Sequence, residues 1–317
     1  MKTKNLSRAE AAGFFLAHDN FTSLTHRRPD GDTLGSGAAL CLGLQKMGKK
    51  AWVLNPSESL DNLGWLLNDI TKDFADSGDT IVAVDVAAPN MLPRDFEPLA
   101  VKTALRIDHH GSCTPFAPEE LVDDQSASCA EIICDILTLL GVELDADIAD
   151  ALYVGVATDT GCFRYANTSA NTYRVAAACA ETGAELYPIT MELFDTTSVS
   201  ELKLKNWMVD HAVFLCDGRA AVCAIPAELE ENVSKEDLEG ISGFLRSLEG
   251  VKISATIRQT ETGSKMSVRA VPGFDASAVC RKFGGGGHKG AAGASLNVTL
   301  EEAVKLACEA LTEVVNG

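Results

Sequence analysis

Histidines and aspartates with the spacing of a catalytic or metal-binding site occur near the N-terminus of this 317-residue chain. The stretch HRRPDGD contains His26, Asp30 and Asp32 within seven residues. A Pro-Asp-Gly turn would account for these polar residues, and either aspartate could cap a helix. An imidazole and two carboxylates this close together are also the donors expected of half a metal site. Residues elsewhere in the chain are needed to distinguish a turn or helix cap from half a metal site.

Three further segments contain aspartates or histidines that could be metal ligands or catalytic groups. Asp85 interrupts the apolar run IVAVDVA, where an ionised carboxylate would be costly to bury without a partner. The triplet Asp108, His109 and His110 directly follows the apolar segment KTALRI, and Asp159 follows an apolar helical pattern. Taken singly, the histidines could be a satisfied pair at a strand end, and Asp159 could cap a turn. Their joint occurrence favours a common site.

The segments that carry these residues have the pattern of a parallel α/β sheet. Apolar strand-like runs alternate with helix-like segments, and both faces of such a sheet are covered. The predicted strands are 21–26, 50–55, 79–87 and 102–110, and the predicted helices are 34–48, 145–163 and 169–183. Ligands bind at the carboxyl ends of the strands in sheets of this kind. The candidate residues fall at or just beyond those ends, so we expect them to meet there.

The donor types indicate which ions would suit the site. Oxygen and nitrogen ligands without thiolate fit Mn²⁺ or Mg²⁺ better than a structural zinc. No C-x-x-C pair occurs among the ten cysteines. The candidate ligands outnumber those that one ion needs, so the sequence favours a two-metal centre with the ions about 3.5–4 Å apart.

The pattern changes after the first two-thirds of the chain. Strand-like segments, a short helix, the glycine-rich stretch GGGGHKGAAG (284–293) and a closing helix over 299–315 indicate a smaller α/β domain. We therefore predict a first domain over 1–195, which contains the candidate metal ligands, a helical linker over 196–215 and a smaller domain over 216–317.

Charge and hydropathy exclude some classes of function. A formal net charge of −18 argues against broad binding to long nucleic acid, which requires a cationic surface. A small anionic ligand needs only a local cationic pocket or metal ions. No window approaches the roughly 18 apolar residues of a membrane helix. The N-terminus has the pattern of an amphipathic helix and not of a signal peptide, which predicts a cytoplasmic protein that does not bind membranes.

Five motifs in order resemble those of a known family. They are HRRPDGD (26–32), Asp85 in VAVDVA, DHH (108–110), ATDTGCFRY (157–165) and GGGGHKGAAG (284–293). With them the chain resembles the DHH/DHHA1 phosphoesterases, and most of all the bacterial nanoRNase and 3′-phosphoadenosine-5′-phosphate phosphatase branch. The resemblance implies an α/β fold with a parallel-sheet DHH domain, a smaller α/β domain of the DHHA1 type, and an active site in the cleft between them.

The resemblance also implies residue roles at the metal centre. The implied metal ligands are His26, Asp30, Asp32, Asp85, His109 and Asp159. His26 and Asp30 would bind one ion, and Asp85 would bridge it to a second ion held by the others. Asp85, Asp108 and His110 would be the catalytic residues, with His110 near the scissile phosphate and Asp108 orienting the histidines. The implied cofactors are two divalent ions, Mn²⁺ in the first place, with Mg²⁺ or Co²⁺ as alternatives.

The glycine-rich stretch allows two interpretations. It could be a flexible linker, or its backbone amides could form a nest that binds a phosphate. The resemblance favours the second interpretation and implies the substrate contacts Arg164, Arg269, Gly285, Gly286, Gly287 and His288. From the sequence alone, each of the two arginines could equally be an ordinary solvated residue.

The implied function is hydrolysis of short oligoribonucleotides, including dinucleotides, to mononucleotides by water that two metal ions activate. 3′-Phosphoadenosine-5′-phosphate is a second implied substrate, whereas long nucleic acid and membranes are not expected partners. A homodimer is one option for the assembly. The alternatives are a cyclic-dinucleotide phosphodiesterase, an inorganic pyrophosphatase and a non-catalytic nucleotide sensor. A sensor would be expected to have lost metal ligands, and none of the six is missing here.

Overall fold

The structure is a computed structural model that describes residues 3–56, 60–230 and 233–316. The chain forms two compact units, Met1–Thr196 and Thr197–Gly317. None of the helices in the described ranges combines the length and the apolar character that crossing a bilayer requires.

The first unit contains a seven-stranded sheet flanked by helices. Its strands are β1 (Lys4–Asn5), β2 (Phe21–Leu24), β3 (Ala51–Leu54), β4 (Thr71–Lys72), β5 (Thr80–Val84), β6 (Thr103–Asp108) and β7 (Glu119–Val122). Its α-helices are α1 (Arg8–Ala17), α2 (Gly31–Lys46), α3 (Cys129–Leu139), α4 (Ala146–Asp159), α5 (Ala170–Glu181) and α6 (Leu186–Thr190). The strand order is β1-β7-β6-β5-β2-β3-β4, and every pairing is parallel. The prediction of a parallel α/β sheet is therefore confirmed.

The central strands are buried on both faces, which explains their continuous apolar sequences. All four residues of β2 are buried, as are the last four of β5. The helix after β2 begins at Gly31, three residues earlier than its apolar pattern predicts, because Asp30 caps it. The Asp30 carboxylate accepts hydrogen bonds from the backbone amides of Asp32 and Thr33, both at 3.1 Å. An N-cap of this kind satisfies amides that have no partner within the helix.

Helices α2 and α4 approach each other closely through glycines. A Cβ atom at Gly35 would lie 2.3 Å from the carbonyl oxygen of Ala151, which real side chains do not tolerate. A Cβ atom at Gly155 would lie 2.6 Å from the Cβ of Ala130 and 3.0 Å from Oδ1 of Asp32. The small residues thus bring the first turn of α2 against the C-terminal half of α4.

The second unit contains a six-stranded mixed sheet. Its strands are β8 (Val213–Leu215), β9 (Ala220–Ile225), β10 (Ile253–Thr260), β11 (Gly263–Ala270), β12 (Gly286–Gly287) and β13 (Ala291–Leu296). Its α-helices are α7 (Val199–His211), α8 (Ala227–Glu230), α9 (Lys235–Gly240), α10 (Ala276–Arg281) and α11 (Leu300–Asn316). The strand order is β12-β13-β11-β10-β9-β8, and only the β9–β10 pairing is parallel within the described residues. Helix α7 covers most of the predicted linker and packs within this unit through Leu204 and Met208.

The close contact of α2 with α4 generates a stability prediction. We expect Gly35→Ala to lower the free energy of unfolding of the first unit by about 1–3 kcal/mol, because the added methyl group overpacks the helix contact. Thermal unfolding of the two proteins measures the difference. Gly13→Ala in α1 is the matched control, since no atom lies within 4 Å of its added Cβ. That control should be neutral or stabilising by up to about 1 kcal/mol, and equal effects of the two substitutions would contradict the proposed packing.

Candidate metal centre

Three adjacent strands bring the candidate ligands to one edge of the sheet. His26 lies two residues after β2, Asp85 directly follows β5, and Asp108 is the last residue of β6. These strands are neighbours in the order β6-β5-β2, so their carboxyl ends lie side by side. The first turn of α2 adds Asp32, and the last residue of α4 adds Asp159. The predicted convergence of these side chains is what the structure shows.

The first group of donors consists of His26, Asp30 and Asp85, whose ligand atoms all lie within 4.8 Å of one another. Nε2 of His26 lies 3.5 Å from Oδ1 of Asp30 and 3.5 Å from Oδ2 of Asp85. Nδ1 of His26 donates to the carbonyl oxygen of Arg27 at 2.9 Å. This hydrogen bond fixes the imidazole tautomer and leaves Nε2 available as a ligand.

The second group consists of Asp32, His109 and Asp159, again with ligand atoms within 4.8 Å of one another. Nε2 of His109 lies 3.2 Å from Oδ2 of Asp159 and 3.7 Å from Oδ2 of Asp32. Nδ1 of His109 faces the carbonyl oxygen of Ser126 at 3.3 Å. The buried Asp32 carboxylate accepts a 2.6 Å hydrogen bond from the amide of Cys129 at the start of α3, which fixes its orientation.

Asp85 lies between the two groups. Its Oδ2 faces His26, and its Oδ1 lies 3.5 Å from Nε2 of His109. The residue is 2% exposed and has a φ of 57°, an uncommon conformation for a residue other than glycine. Oδ1 of Asp85 and Nε2 of His109 are both buried and make no hydrogen bond within the described part of the chain. These two potential metal-ligand atoms, which face each other without a hydrogen bond, fit a cation between them.

The electrostatics of the site also favour cations. Burial lowers the pKa of His26, but the carboxylates of Asp30 and Asp85 outweigh it and raise that pKa to about 11. Burial likewise opposes ionisation of His109, while Asp159, Asp32 and Asp85 raise its pKa to about 10. Burial raises the pKa of Asp85 to about 6. Four carboxylates and two imidazoles thus hold excess negative charge that divalent ions would neutralise, and their oxygen and nitrogen donors suit Mn²⁺ or Mg²⁺.

The remaining member of the triplet, His110, is held by Asp108. Oδ1 of Asp108 accepts from the backbone amide of His110 at 3.1 Å and from its Nδ1 at 2.8 Å. The carboxylate of Asp108 holds His110, while Nδ1 of His109 faces the carbonyl oxygen of Ser126. The orientation of both histidines by Asp108 stays a prediction. The hydrogen bond from His110 to Asp108 is the first cause of a raised pKa of His110.

The sequence patterns did not predict the buried ion pair of Arg106 and Glu120, which contacts Asp108. Nη1 of Arg106 donates to Oδ2 of Asp108 at 2.8 Å, and the same guanidinium binds Glu120 on the neighbouring strand. A signal was present, because Arg106 is the one cation in the strand TALRID and lies two residues before Asp108. Residues two apart in a strand share a face of the sheet.

The glycine-rich segment of the second unit forms a hairpin. Strand β12 (Gly286–Gly287) lies at the sheet edge against β13, and His288 and Ala291 exchange backbone hydrogen bonds at 2.8 and 3.2 Å around the turn. A Cβ atom at Gly285 would lie 2.2 Å from the carbonyl oxygen of Gly293. A Cβ atom at Gly287, where φ is 138°, would lie 2.6 Å from the carbonyl oxygen of Ala291. Gly285 and Gly287 are therefore needed for close strand pairing, and the exposed His288 lies at the turn. Phosphate binding by this segment stays a prediction.

The two predicted substrate arginines lie in different units. Arg269 is in β11 and pairs across the sheet with Ala291, next to the hairpin turn. Arg164 follows α4 in a loop, donates to the carbonyl oxygen of Gly161 at 2.5 Å and lies over the ring of Phe194 at 5.9 Å. Their contacts with substrate remain predictions.

Comparison with known proteins identifies the family. Residues 20–156 match the DHH family, N-terminal domain, and residues 217–317 match the DHHA1 domain. The bifunctional oligoribonuclease and PAP phosphatase NrnA of Thermus thermophilus is 34% identical over 300 residues, covering 91% of this chain and 88% of that protein. The chain belongs to the DHH/DHHA1 phosphoesterase family. The family interpretation of the five motifs is thus confirmed.

A further relative and a solved structure also match most of the chain. The NrnA protein of Bacillus subtilis is 25% identical over 291 residues, covering 88% of this chain and 90% of that one. The crystal structure of an exopolyphosphatase-related protein from Bacteroides fragilis is similar, with a TM-score of 0.87, 23% identity and 98% coverage of both chains. This structural likeness supports the fold of both units.

The arrangement around Asp85 predicts that divalent ions stabilise the protein. After EDTA treatment and dialysis, we expect Mn²⁺ at about one hundred times its dissociation constant to raise Tm by about 5–10 °C, because a ligand that binds only the folded state stabilises it. Asp85→Asn should lose most of this increase, since it weakens both donor groups. Differential scanning calorimetry with and without Mn²⁺ measures the effect. Asp147→Asn, an exposed change in α4 with the same loss of charge, is the control. An undiminished increase in Asp85→Asn would show that the ions bind elsewhere.

Proposed function

We propose that this protein is a Mn²⁺-dependent phosphoesterase that hydrolyses short oligoribonucleotides, such as dinucleotides, to mononucleotides. The observation that carries the proposal is the position of Asp85, with one carboxylate oxygen facing His26 and the other facing His109. That arrangement suits a carboxylate shared by two ions. The likeness to NrnA proteins supports oligoribonucleotide and 3′-phosphoadenosine-5′-phosphate as the substrates.

The six proposed ligands divide between two ions as the donor groups do. His26 and Asp30 would hold one ion, Asp32, His109 and Asp159 the other, and Asp85 both. When bound, two such ions would lower the pKa of water to supply a nucleophile and would stabilise the negative charge that develops on the phosphoryl oxygens. The protein's own contribution is to fix the ligands through the amides and carbonyl groups described above.

His110 has a role separate from the metal ligands in this proposal. Its Nδ1 is held by Asp108, so its other ring nitrogen is left to face the substrate. From there it can donate a hydrogen bond to a phosphoryl oxygen when the ring is protonated, and the carboxylate of Asp108 favours that protonated form. Asp108 would keep the ring in one orientation while the ester bond is broken.

The second unit would supply contacts to the substrate phosphate that is not cleaved. Arg269 can bind a phosphate through two parallel hydrogen bonds. His288 is exposed at the hairpin turn, and the edge strand β12 offers backbone amides beside it. Recognition of a second phosphate would explain a preference for short substrates over the interior of long RNA.

A substrate panel tests the proposed reaction. We expect purified protein with Mn²⁺ to hydrolyse pApA rapidly, a five-residue RNA more slowly and a twenty-residue RNA very little, with 3′-phosphoadenosine-5′-phosphate converted to AMP. Product analysis by ion-exchange chromatography measures each rate. Asp85→Ala should abolish all of these activities, because the change removes a donor from both groups. Turnover of pyrophosphate or cyclic di-AMP alone would overturn the substrate assignment, and full activity of Asp85→Ala would overturn the metal assignment.

The role of the second unit is tested by comparing pApA with ApA, which lacks the 5′-phosphate. We expect Arg269→Ala or His288→Ala to raise KM for pApA by about tenfold, the value of one hydrogen bond to a charged group. KM for ApA should change little, and kcat for both substrates should be retained. Lys265→Ala, which removes an exposed cation from the same strand as Arg269, is the control. Equal losses for the two substrates would exclude the terminal phosphate as the group that is bound.

A further inference from the structure

Arg106 is a buried cation with no place in the proposed catalytic machinery. Its side chain is entirely shielded from solvent within the central strand β6, where a charge would be costly without partners. The neighbouring strand β7 places Glu120 directly beside it in the parallel register. Glu120 is also buried, with 2% exposure. The fold therefore maintains a charged pair inside the sheet.

The guanidinium has an acceptor for every N–H group. Nε and Nη2 donate to the two carboxylate oxygens of Glu120 at 3.0 and 2.9 Å. Nη1 donates to Oδ2 of Asp108 at 2.8 Å and to the carbonyl oxygen of Val86 at 3.3 Å, and Nη2 also contacts Sγ of Cys113 at 3.3 Å. Five acceptors thus match the five N–H groups of an arginine in its fixed planar geometry. A lysine could not make this set of contacts.

These contacts determine the orientation of the Asp108 carboxylate. Oδ2 is bound by Arg106, so Oδ1 is left to face the backbone amide and Nδ1 of His110. A carboxylate with both oxygens held cannot rotate away from the imidazole. The contact with Val86 is to the backbone carbonyl oxygen of the residue after Asp85 and not to a proposed ligand atom.

Glu120 anchors the arginine from the opposite side. Its Oε1 accepts from the backbone amides of Phe116 at 2.9 Å and Ala117 at 3.3 Å, in addition to Nε of Arg106. The ring of Phe116 lies 5.5 Å from the guanidinium carbon. The carboxylate is thus fixed by main-chain groups and cannot follow a displaced arginine.

We propose that Arg106, held by Glu120, is a positioning residue that fixes the Asp108 carboxylate and thereby holds the His110 ring through its Nδ1–H group, with Nε2 facing the scissile phosphate. This inference rests on the proposed phosphoesterase function. It assigns to a buried ion pair a part in turnover and not only in folding. Since neither residue contacts the proposed ligand donors, metal binding should not depend on them.

The test replaces Arg106 and Glu120 together by neutral groups, so that Asp108 loses its contact with Arg106 and keeps those with His110. A buried ion pair can often be replaced as a pair with little loss of stability, whereas removal of one partner leaves an uncompensated charge. The variant is Arg106→Met combined with Glu120→Gln, in which the glutamine retains an acceptor for the two main-chain amides. The matched control is Arg258→Met with Glu230→Gln, since that pair in the second unit makes the same two-pronged contact at 2.9 and 2.8 Å.

We expect kcat of the Arg106→Met/Glu120→Gln protein for pApA to fall about 10- to 100-fold, as is typical when the partners of catalytic groups are removed. KM and the number of bound Mn²⁺ ions, measured by isothermal titration, should stay near wild type, and the control should retain its kcat. The kcat of Arg106→Lys should lie between those of the double variant and wild type, because lysine keeps the charge and loses the planar geometry of the guanidinium. A folded variant with wild-type kcat would overturn the inference, as would parallel losses of kcat and bound metal.

A second measurement does not depend on activity. Nitrogen-15 NMR of the histidine rings in Mg²⁺-loaded protein, with the His110 signals assigned by His110→Asn, reports which ring nitrogen carries the proton. We expect a proton on Nδ1 of His110 in wild type and only partial occupancy of Nδ1 by a proton in Arg106→Lys and in the double variant. A wild-type His110 ring without a proton on Nδ1, or an unchanged Nδ1 signal in the variants, would overturn the inference. If wild type hydrolysed no substrate of the panel, the proposed function would fail while the ring signals still decided the role of Arg106.

Discussion

The organisation of the first unit depends on one buried negative charge, the carboxylate of Asp85. It follows a completely apolar strand segment, is 2% exposed, and has one oxygen without a hydrogen bond among the described residues. Burying such a group costs several kcal/mol unless a cation compensates it. Protonated imidazoles of His26 and His109 provide that compensation in the absence of ions, and divalent ions would replace the protons. The left-handed backbone at Asp85 indicates that the fold accepts local strain to keep the carboxylate there.

The architecture explains how the other donors reach Asp85. Parallel strands present their carboxyl ends together, which brings His26 and the triplet after β6 to the same edge. The helices are then positioned by packing, because the glycine contacts of α2 with α4 bring Asp32 and Asp159 to the same ring nitrogen of His109. Asp32 and Asp30, two residues apart at the start of one helix, point to different donor groups. The short spacing of HRRPDGD is therefore explained by two adjacent sites and not by a turn alone.

The parts that could be predicted from the sequence are those that depend on local pattern. His26, Asp85 and Asp108 interrupt or end apolar strands, and the C-terminal ends of parallel strands must meet, so their convergence follows without coordinates. Arg106 and Glu120 could not be paired in this way, because β7 has no clear apolar pattern and the register between β6 and β7 is a tertiary property. The glycine run likewise suggests a loop, whereas its conformation depends on close pairing with β13.

Substrate binding by so acidic a protein also requires that its negative charge be compensated. With a net charge of −18, the surface as a whole would repel an oligonucleotide, and the attraction must be local. The donor cluster around Asp85 becomes attractive to phosphate only after cations are bound, since its own groups are mainly carboxylates. In the second unit, Arg269, His288 and Lys289 provide cationic or hydrogen-bonding groups near one hairpin. Under the proposed function, attraction confined to such sites would favour substrates with few phosphates, because the net charge of −18 provides no general attraction for additional nucleotides. The acidic composition is therefore consistent with a short substrate for a physical reason that is independent of the family resemblance.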